Sequence, residues 1–146
     1  MKISVCCPSY KRPKVETLDY LPFTKVYVDN KEYNDYIKEN KGFEKNIIKV
    51  PDGIQGNLCR IRNYILDEEF KNGADVCLII DDDLKGIYLW QGDKKNPYKK
   101  VKIEKENFLN FIEKYSLLCE EFGFKFWGLN CNADALSYRQ IGRAHV

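Results

Sequence analysis

Hydrophobic and polar positions along this chain repeat with two periods. Ile3, Val5 and Cys7 fall at every second residue and predict a first strand from Lys2 to Cys7. Lys25 to Val28 and Ile47 to Val50 predict a second and a third strand, ending at Asp29-Asn30 and at Pro51-Asp52-Gly53. From Gly56 to Phe70 the period becomes helical. Leu58, Ile61, Ile65 and Leu66 share a face, Asn57 or Gly56 stands at the cap, and Gly73 lies beyond the end. The run Asp75-Val76-Cys77-Leu78-Ile79-Ile80 then reads as a strand buried on both faces, as inside a parallel sheet.

Lys105 to Phe122 carries the strongest helical repeat. Phe108, Phe111, Ile112, Tyr115, Leu118, Cys119 and Phe122 form a stripe expected to face the core. Thr17 to Leu21 predicts a short helix before Pro22. Glu32 to Asn40 is a polar segment that Asp29 or Asn30 could cap. Leu84 to Trp90 reads as an extended edge segment, Gln91 to Lys102 as a loop rich in Gly, Pro and Lys, and Phe124 to Asn130 as a last strand. The alternation predicts an α/β architecture, a mostly parallel sheet flanked by helices.

Composition changes this picture little. The 146 residues suit one domain or a piece of a larger one, and 44% hydrophobic with 14% aromatic content suffices for a packed core. The 24 basic and 22 acidic residues leave a net charge of +2, which singles out no class of partner. Lysines gather at Lys94-Lys95 and Lys99-Lys100-Val101-Lys102, a pattern of solvated loops and sometimes of nucleic-acid contacts. No apolar run reaches the length of a membrane span, and the first residues are too short in apolar character for a signal peptide. Cys6, Cys7 and Cys77 fall in predicted strands, Cys59 and Cys119 in predicted helices. No Cys-x-x-Cys pair occurs, so buried free thiols in a reducing cytoplasm are expected. Residues 141–146, Ile-Gly-Arg-Ala-His-Val, look like a translated sequencing-library adapter. On that reading one domain spans residues 1–140, and His145, the only histidine, is not native.

Candidate chemistry concentrates at strand ends. Three carboxylates, Asp81, Asp82 and Asp83, follow the apolar run directly. In an extended chain Asp81 and Asp83 point one way and Asp82 the other. Two carboxylates a few Å apart repel by about 4 kcal/mol at an effective dielectric near 20. A magnesium or manganese ion between them turns that repulsion into a hard oxygen site. A solvated acidic turn is the plainer alternative. The loop Pro8-Ser9-Tyr10-Lys11-Arg12-Pro13 offers an aromatic ring to stack on a base and two cations for phosphate, or is a basic surface turn. Asp29 ends the second strand, where a carboxylate often holds a ribose. Arg62 lies beside the apolar stripe of its helix, and Arg60 should point elsewhere.

Together, the opening loop, the Arg62-Asn63 helix and the strand ending Asp81-Asp82-Asp83 resemble the GT-A glycosyltransferases. Within that group they look most like the TET-associated glycosyltransferases of phages and bacteria, which are thought to glycosylate oxidised bases in DNA. The resemblance implies a Rossmann-like GT-A fold covering the nucleotide-sugar half, truncated at the C-terminus, and a cytoplasmic enzyme. It implies Mn2+ or Mg2+ on Asp83, with Asp81 sharing the metal or touching the ribose. Pro8, Ser9, Tyr10, Arg12, Asp29, Arg62 and Asp82 would contact the nucleotide-sugar donor, and DNA would be the acceptor. Asp134 is the only carboxylate available as a base after Gly128, and the family's later metal-binding histidine has no counterpart in the authentic portion. A nucleotidyltransferase would carry glycine in the first loop, which has none; a haloacid-type phosphatase would carry its acidic pair after the first strand. A donor-binding or degenerate module could recruit DNA through Lys94 to Lys102.

Overall fold

The computed structural model describes residues 1–91, 95–96 and 99–129. In chain order it forms β1 (Ile3–Pro8), α1 (Thr17–Tyr20), β2 (Lys25–Asp29), α2 (Tyr33–Glu39), a 3-10 turn (Glu44–Asn46), β3 (Ile47–Val50), α3 (Leu58–Lys71) and β4 (Val76–Ile79). β5 (Tyr88–Trp90), β6 (Lys100–Lys102) and α4 (Lys105–Glu121) complete it. β1 to β4 make a four-stranded sheet in the order β3-β2-β1-β4, with every pairing parallel. β5 and β6 form a separate antiparallel ribbon. The α/β expectation, a parallel sheet flanked by helices, is borne out.

Strand parity divides the core. Val5, Cys7, Val26, Val28 and Ile47 turn to one face, which α1, α2 and α4 cover with Leu18, Tyr36, Phe108 and Ile112. Cys6, Tyr27 and Val50 turn to the other, where α3 contributes Ile61 and Ile65. Each such aliphatic side chain, fully buried, contributes about 1.5–3 kcal/mol. α3 opens on Asn57, whose Oδ1 accepts the Arg60 amide at 3.0 Å, and it gives way to Gly73 at φ +81°, the left-handed geometry that glycine adopts freely.

Several expectations need correction. β4 is only half-buried along its length, because among the described residues it bonds to β1 alone and lies at the sheet edge. Leu58 stands exposed at the first turn of α3, before the helix reaches the sheet. In α4 the stripe is fully buried at Phe108 and Ile112, with Phe111 packed half-buried against them; Leu118 and Phe122 are exposed and line a groove with Phe124 and Phe126. Residues 124–129 form no strand, and Phe126 is 89% exposed; Asn130 lies outside the described residues. The supposed loop from Gln91 includes β6, because Val101 finds Leu89 as its cross-strand partner. Neither Asp29 nor Asn30 caps α2; Glu32 holds that position without a side-chain bond, and Asp29 Oδ1 instead accepts the Lys31 amide at 2.8 Å. Cys6 and Cys7 are buried free thiols, but Cys59 is exposed and Cys119 is bonded near the surface to Phe124 O.

Candidate functional site

The strand order fixes where chemistry can sit. From β1 the chain winds outward through β2 to β3, then returns to place β4 on the other side of β1. At such a reversal the loops leaving the two central strands diverge and open a crevice at the carboxyl end of the sheet. The loops there are residues 9–13 after β1 and residues 80–84 after β4.

The β4 ladder runs one step past the strand, with Ile80 N donating to Cys6 O at 2.9 Å. The acidic turn beyond it is tied down by α1. Thr17 Oγ1 donates to Asp81 O at 2.6 Å and accepts the Leu84 amide at 2.9 Å; Thr17 N donates to Asp82 O at 3.2 Å. Thr17 is fully buried. Three bonds from one residue therefore set the backbone of this turn, in which the side chains point alternately outward and inward. Asp81 and Asp83 point to solvent, with side chains 74% and 60% exposed, whereas Asp82 is 4% exposed.

Asp82 faces the β1 loop. Its Oδ2 accepts Ser9 Oγ at 2.6 Å, and its Oδ1 accepts Arg12 Nη2. A carboxylate can only accept, so Ser9 gives its proton to Asp82 and receives one from the Tyr36 hydroxyl at 2.9 Å. The Tyr36 oxygen also accepts the Arg12 amide at 3.3 Å. Below this network, Asn40 donates to Pro13 O at 2.6 Å and Tyr36 O at 2.8 Å and accepts the Val15 amide at 3.0 Å. From the α3 side Gln55 donates to Tyr27 O at 2.8 Å and Ser9 O at 3.2 Å. The buried polar groups are thus paired, which makes the loop one rigid unit with the turn.

Arg12 spans the two loops, with Nη1 3.2 Å from Asp83 Oδ2 and Nη2 on Asp82. Asp82 and then Asp83 raise the Arg12 guanidinium further above its ordinary range. Burial, helped by Asp82 and Asp81, pushes the Cys7 thiol up, so it stays protonated beneath the site. Burial likewise raises the Tyr36 hydroxyl.

The other expected residues are less tightly gathered. Pro8 ends β1, pairing with Tyr27. The Tyr10 ring lies exposed near Gly56, with Lys11 Nζ 5.1 Å from its centroid. Lys11 adopts φ +57°, a left-handed turn held by its amide bond to Glu32 Oε2 at 3.1 Å. Arg62 Nη2 stands 3.9 Å from Asp81 Oδ1, a loose contact between exposed groups, and Arg60 turns away to Gly53 O. Asp29 is engaged with its own turn, its Oδ1 accepting the Lys31 amide at 2.8 Å and its carbonyl the Glu32 amide at 3.0 Å. Lys94 and Asp134 lie outside the described residues. Thr17, Tyr36, Asn40 and Gln55 are supports that strand and motif patterns do not single out; the one hint at Tyr36 is its helical spacing with Tyr33 and Ile37 within a polar segment.

Among the described residues no three His, Cys, Asp or Glu side chains gather as a ready-made metal cage. Asp81 and Asp83 nonetheless supply hard oxygens. They fit a cation of the magnesium type, which keeps waters and takes substrate phosphates as remaining ligands. What this end of the sheet offers is therefore two solvent-facing carboxylates, each in contact with a guanidinium group, a charge pattern suited to a cation with a phosphate ester. Comparison of the chain with protein-family models, with curated proteins and with solved structures finds no match.

Proposed function

We propose that this domain binds a nucleoside-diphosphate sugar and serves a metal-dependent glycosyltransferase of the GT-A kind. The observation carrying this reading is the pair of outward carboxylates, Asp81 and Asp83, beside Arg12 at the reversal between β1 and β4. Asp83, with Asp81, would hold Mn2+ or Mg2+, which would offset the charge growing on the diphosphate leaving group. Arg12 presents a planar fork to phosphate oxygens and Arg62 a second cation at the rim. Tyr10 has an exposed face for a base. The Ser9, Tyr36 and Asp82 network holds Arg12 without rearrangement, which spares binding the cost of ordering that side chain. The acceptor in this reading is a modified DNA base, and the setting is the cytoplasm of a bacterium or a phage-infected cell.

The test is calorimetric titration of UDP-glucose and UDP, with and without Mn2+, into the wild type and Asp83→Ala. Binding that needs the metal and falls at least about tenfold in the variant supports the donor site. Equal behaviour of the two proteins, repeated with other nucleotide donors, would reduce residues 81–83 to an acidic turn.

A second reading rests on the ribbon. Cross-strand pairing puts Tyr88 opposite Lys102 and Trp90 opposite Lys100, so one face carries two aromatic rings and two lysines. A module that grips nucleic acid would use such a face, by stacking and charge. Salt-sensitive DNA binding with no donor affinity would favour it over the transferase.

A further inference from the structure

We infer that Arg12 is the resident counter-cation of the acidic turn, yielding Asp83 to a divalent ion while Asp82 keeps hold of it. The inference rests on the proposed donor site and concerns how that site loads. Three successive carboxylates in one turn repel one another, and in this structure Arg12 is the cation that offsets two of them.

Its two contacts are unequal. The contact to Asp82 involves a carboxylate 4% exposed, anchored a second time by Ser9 Oγ at 2.6 Å. The contact to Asp83 is a single bond of 3.2 Å between side chains 59% and 60% exposed. A pair whose carboxylate is enclosed and anchored twice resists separation more than one exposed at both ends, which is weak and exchanges readily with ions from solution. A cation arriving at Asp83 therefore breaks the outer contact and leaves the inner one. The Arg12 Nη1 donor freed in this way remains at the mouth of the crevice, in place for a phosphate oxygen. Asp82 is then a positioning residue that acts through Arg12, and Arg12 competes with the metal but assists the diphosphate.

That opposition of sign separates this role from plain structural support, whose loss would weaken both ligands. The measurement is Mn2+ uptake by the full chain, followed by the electron paramagnetic resonance of free Mn2+ at low ionic strength. It is paired with UDP titration at saturating Mn2+. Arg12→Gln should bind Mn2+ alone about two- to fivefold more tightly, the size of an exposed ion pair. It should bind UDP at least about tenfold more weakly, as for loss of a charged hydrogen bond. Lys14→Gln, which removes a cation paired with Asp19, controls for net charge and should change neither. Unchanged or weaker Mn2+ binding by Arg12→Gln, with the wild type binding both ligands, overturns the inference and leaves the donor site standing. Failure of the wild type to take up Mn2+ or UDP removes both. A readout needing no variant is the Arg12 Nε–Hε NMR signal during titration with Mg2+. It should move in step with occupancy, and a signal that stays still also overturns the inference.

Discussion

Two acidic centres in this domain use the same chemistry to opposite ends. On the α3 side, toward the amino ends of the strands, Glu69 is 2% exposed. It accepts Ser4 Oγ at 2.5 Å, Lys25 Nζ at 2.6 Å and the Tyr27 hydroxyl. At the carboxyl ends, Asp82 is similarly enclosed, but its neighbours Asp81 and Asp83 keep most of their surface in water. The first centre is closed, with a partner for each oxygen. The second is closed in its middle and open on both flanks. A satisfied carboxylate stabilises the fold and has no capacity left for a ligand; an exposed one contributes little stability and stays available.

The largest effect should come from breaking the closed centre. Glu69→Ala strands Ser4, Lys25 and Tyr27 together and should cost about 3 kcal/mol by urea unfolding, the low end for a broken buried pair because Lys25 retains some access to water. A loss under about 1 kcal/mol would erase the distinction between the centres. Next is the hidden support of the open one. Thr17→Val keeps shape but removes the hydroxyl joining Asp81 O to the Leu84 amide, for about 2 kcal/mol, with Thr17→Ser restoring most of it.

Acidity gives a smaller, signed effect. Burial alone would raise Glu69, but the bonds from Lys25, Ser4 and Tyr27 outweigh it and hold the group below its ordinary 4.5. A depressed native value means stability that is fully present above the unfolded pKa and lost as pH falls through the native one. The stability gap between wild type and Glu69→Gln should therefore hold from neutral pH to roughly 4.5 and shrink below that. The smallest change in stability belongs to Asp83→Ala, within about 0.5 kcal/mol, although its metal-dependent UDP binding should collapse. A large loss of stability there would mean that the Arg12 contact carries the turn.

The framework was readable from sequence because strand ends are written in local chemistry. Prolines, glycines and the abrupt change from apolar residues to aspartate mark β1, β3 and β4, and alternation separates Asp82 from Asp81 and Asp83 without stating which side is enclosed. Partners are not written locally. Asp82 meets Ser9 and Arg12 only because β1 and β4 are neighbours in space, and no period in the sequence reports that adjacency. Burial in α4 fails for the same reason: Leu118 and Phe122 continue the repeat of Phe108 and Ile112, but periodicity states which face is apolar, not how far the sheet reaches beneath it. Phe124 to Leu129 shows the limit from the other side, since β-forming residues make a strand only where an edge receives them.

The register of β4 on β1 has one further consequence. Ile3 pairs with Val76 and Cys6 with Ile79, and the aspartates count onward from that alignment. Side chains in a strand alternate with a period of two, so whether an aspartate is enclosed or displayed depends on odd or even position. A slip of one residue would seal two carboxylates inside the protein and expose the third. Evolution can therefore vary the length of the linker before β4, but from Ile79, the partner of Cys6, to Asp83 it must conserve a count.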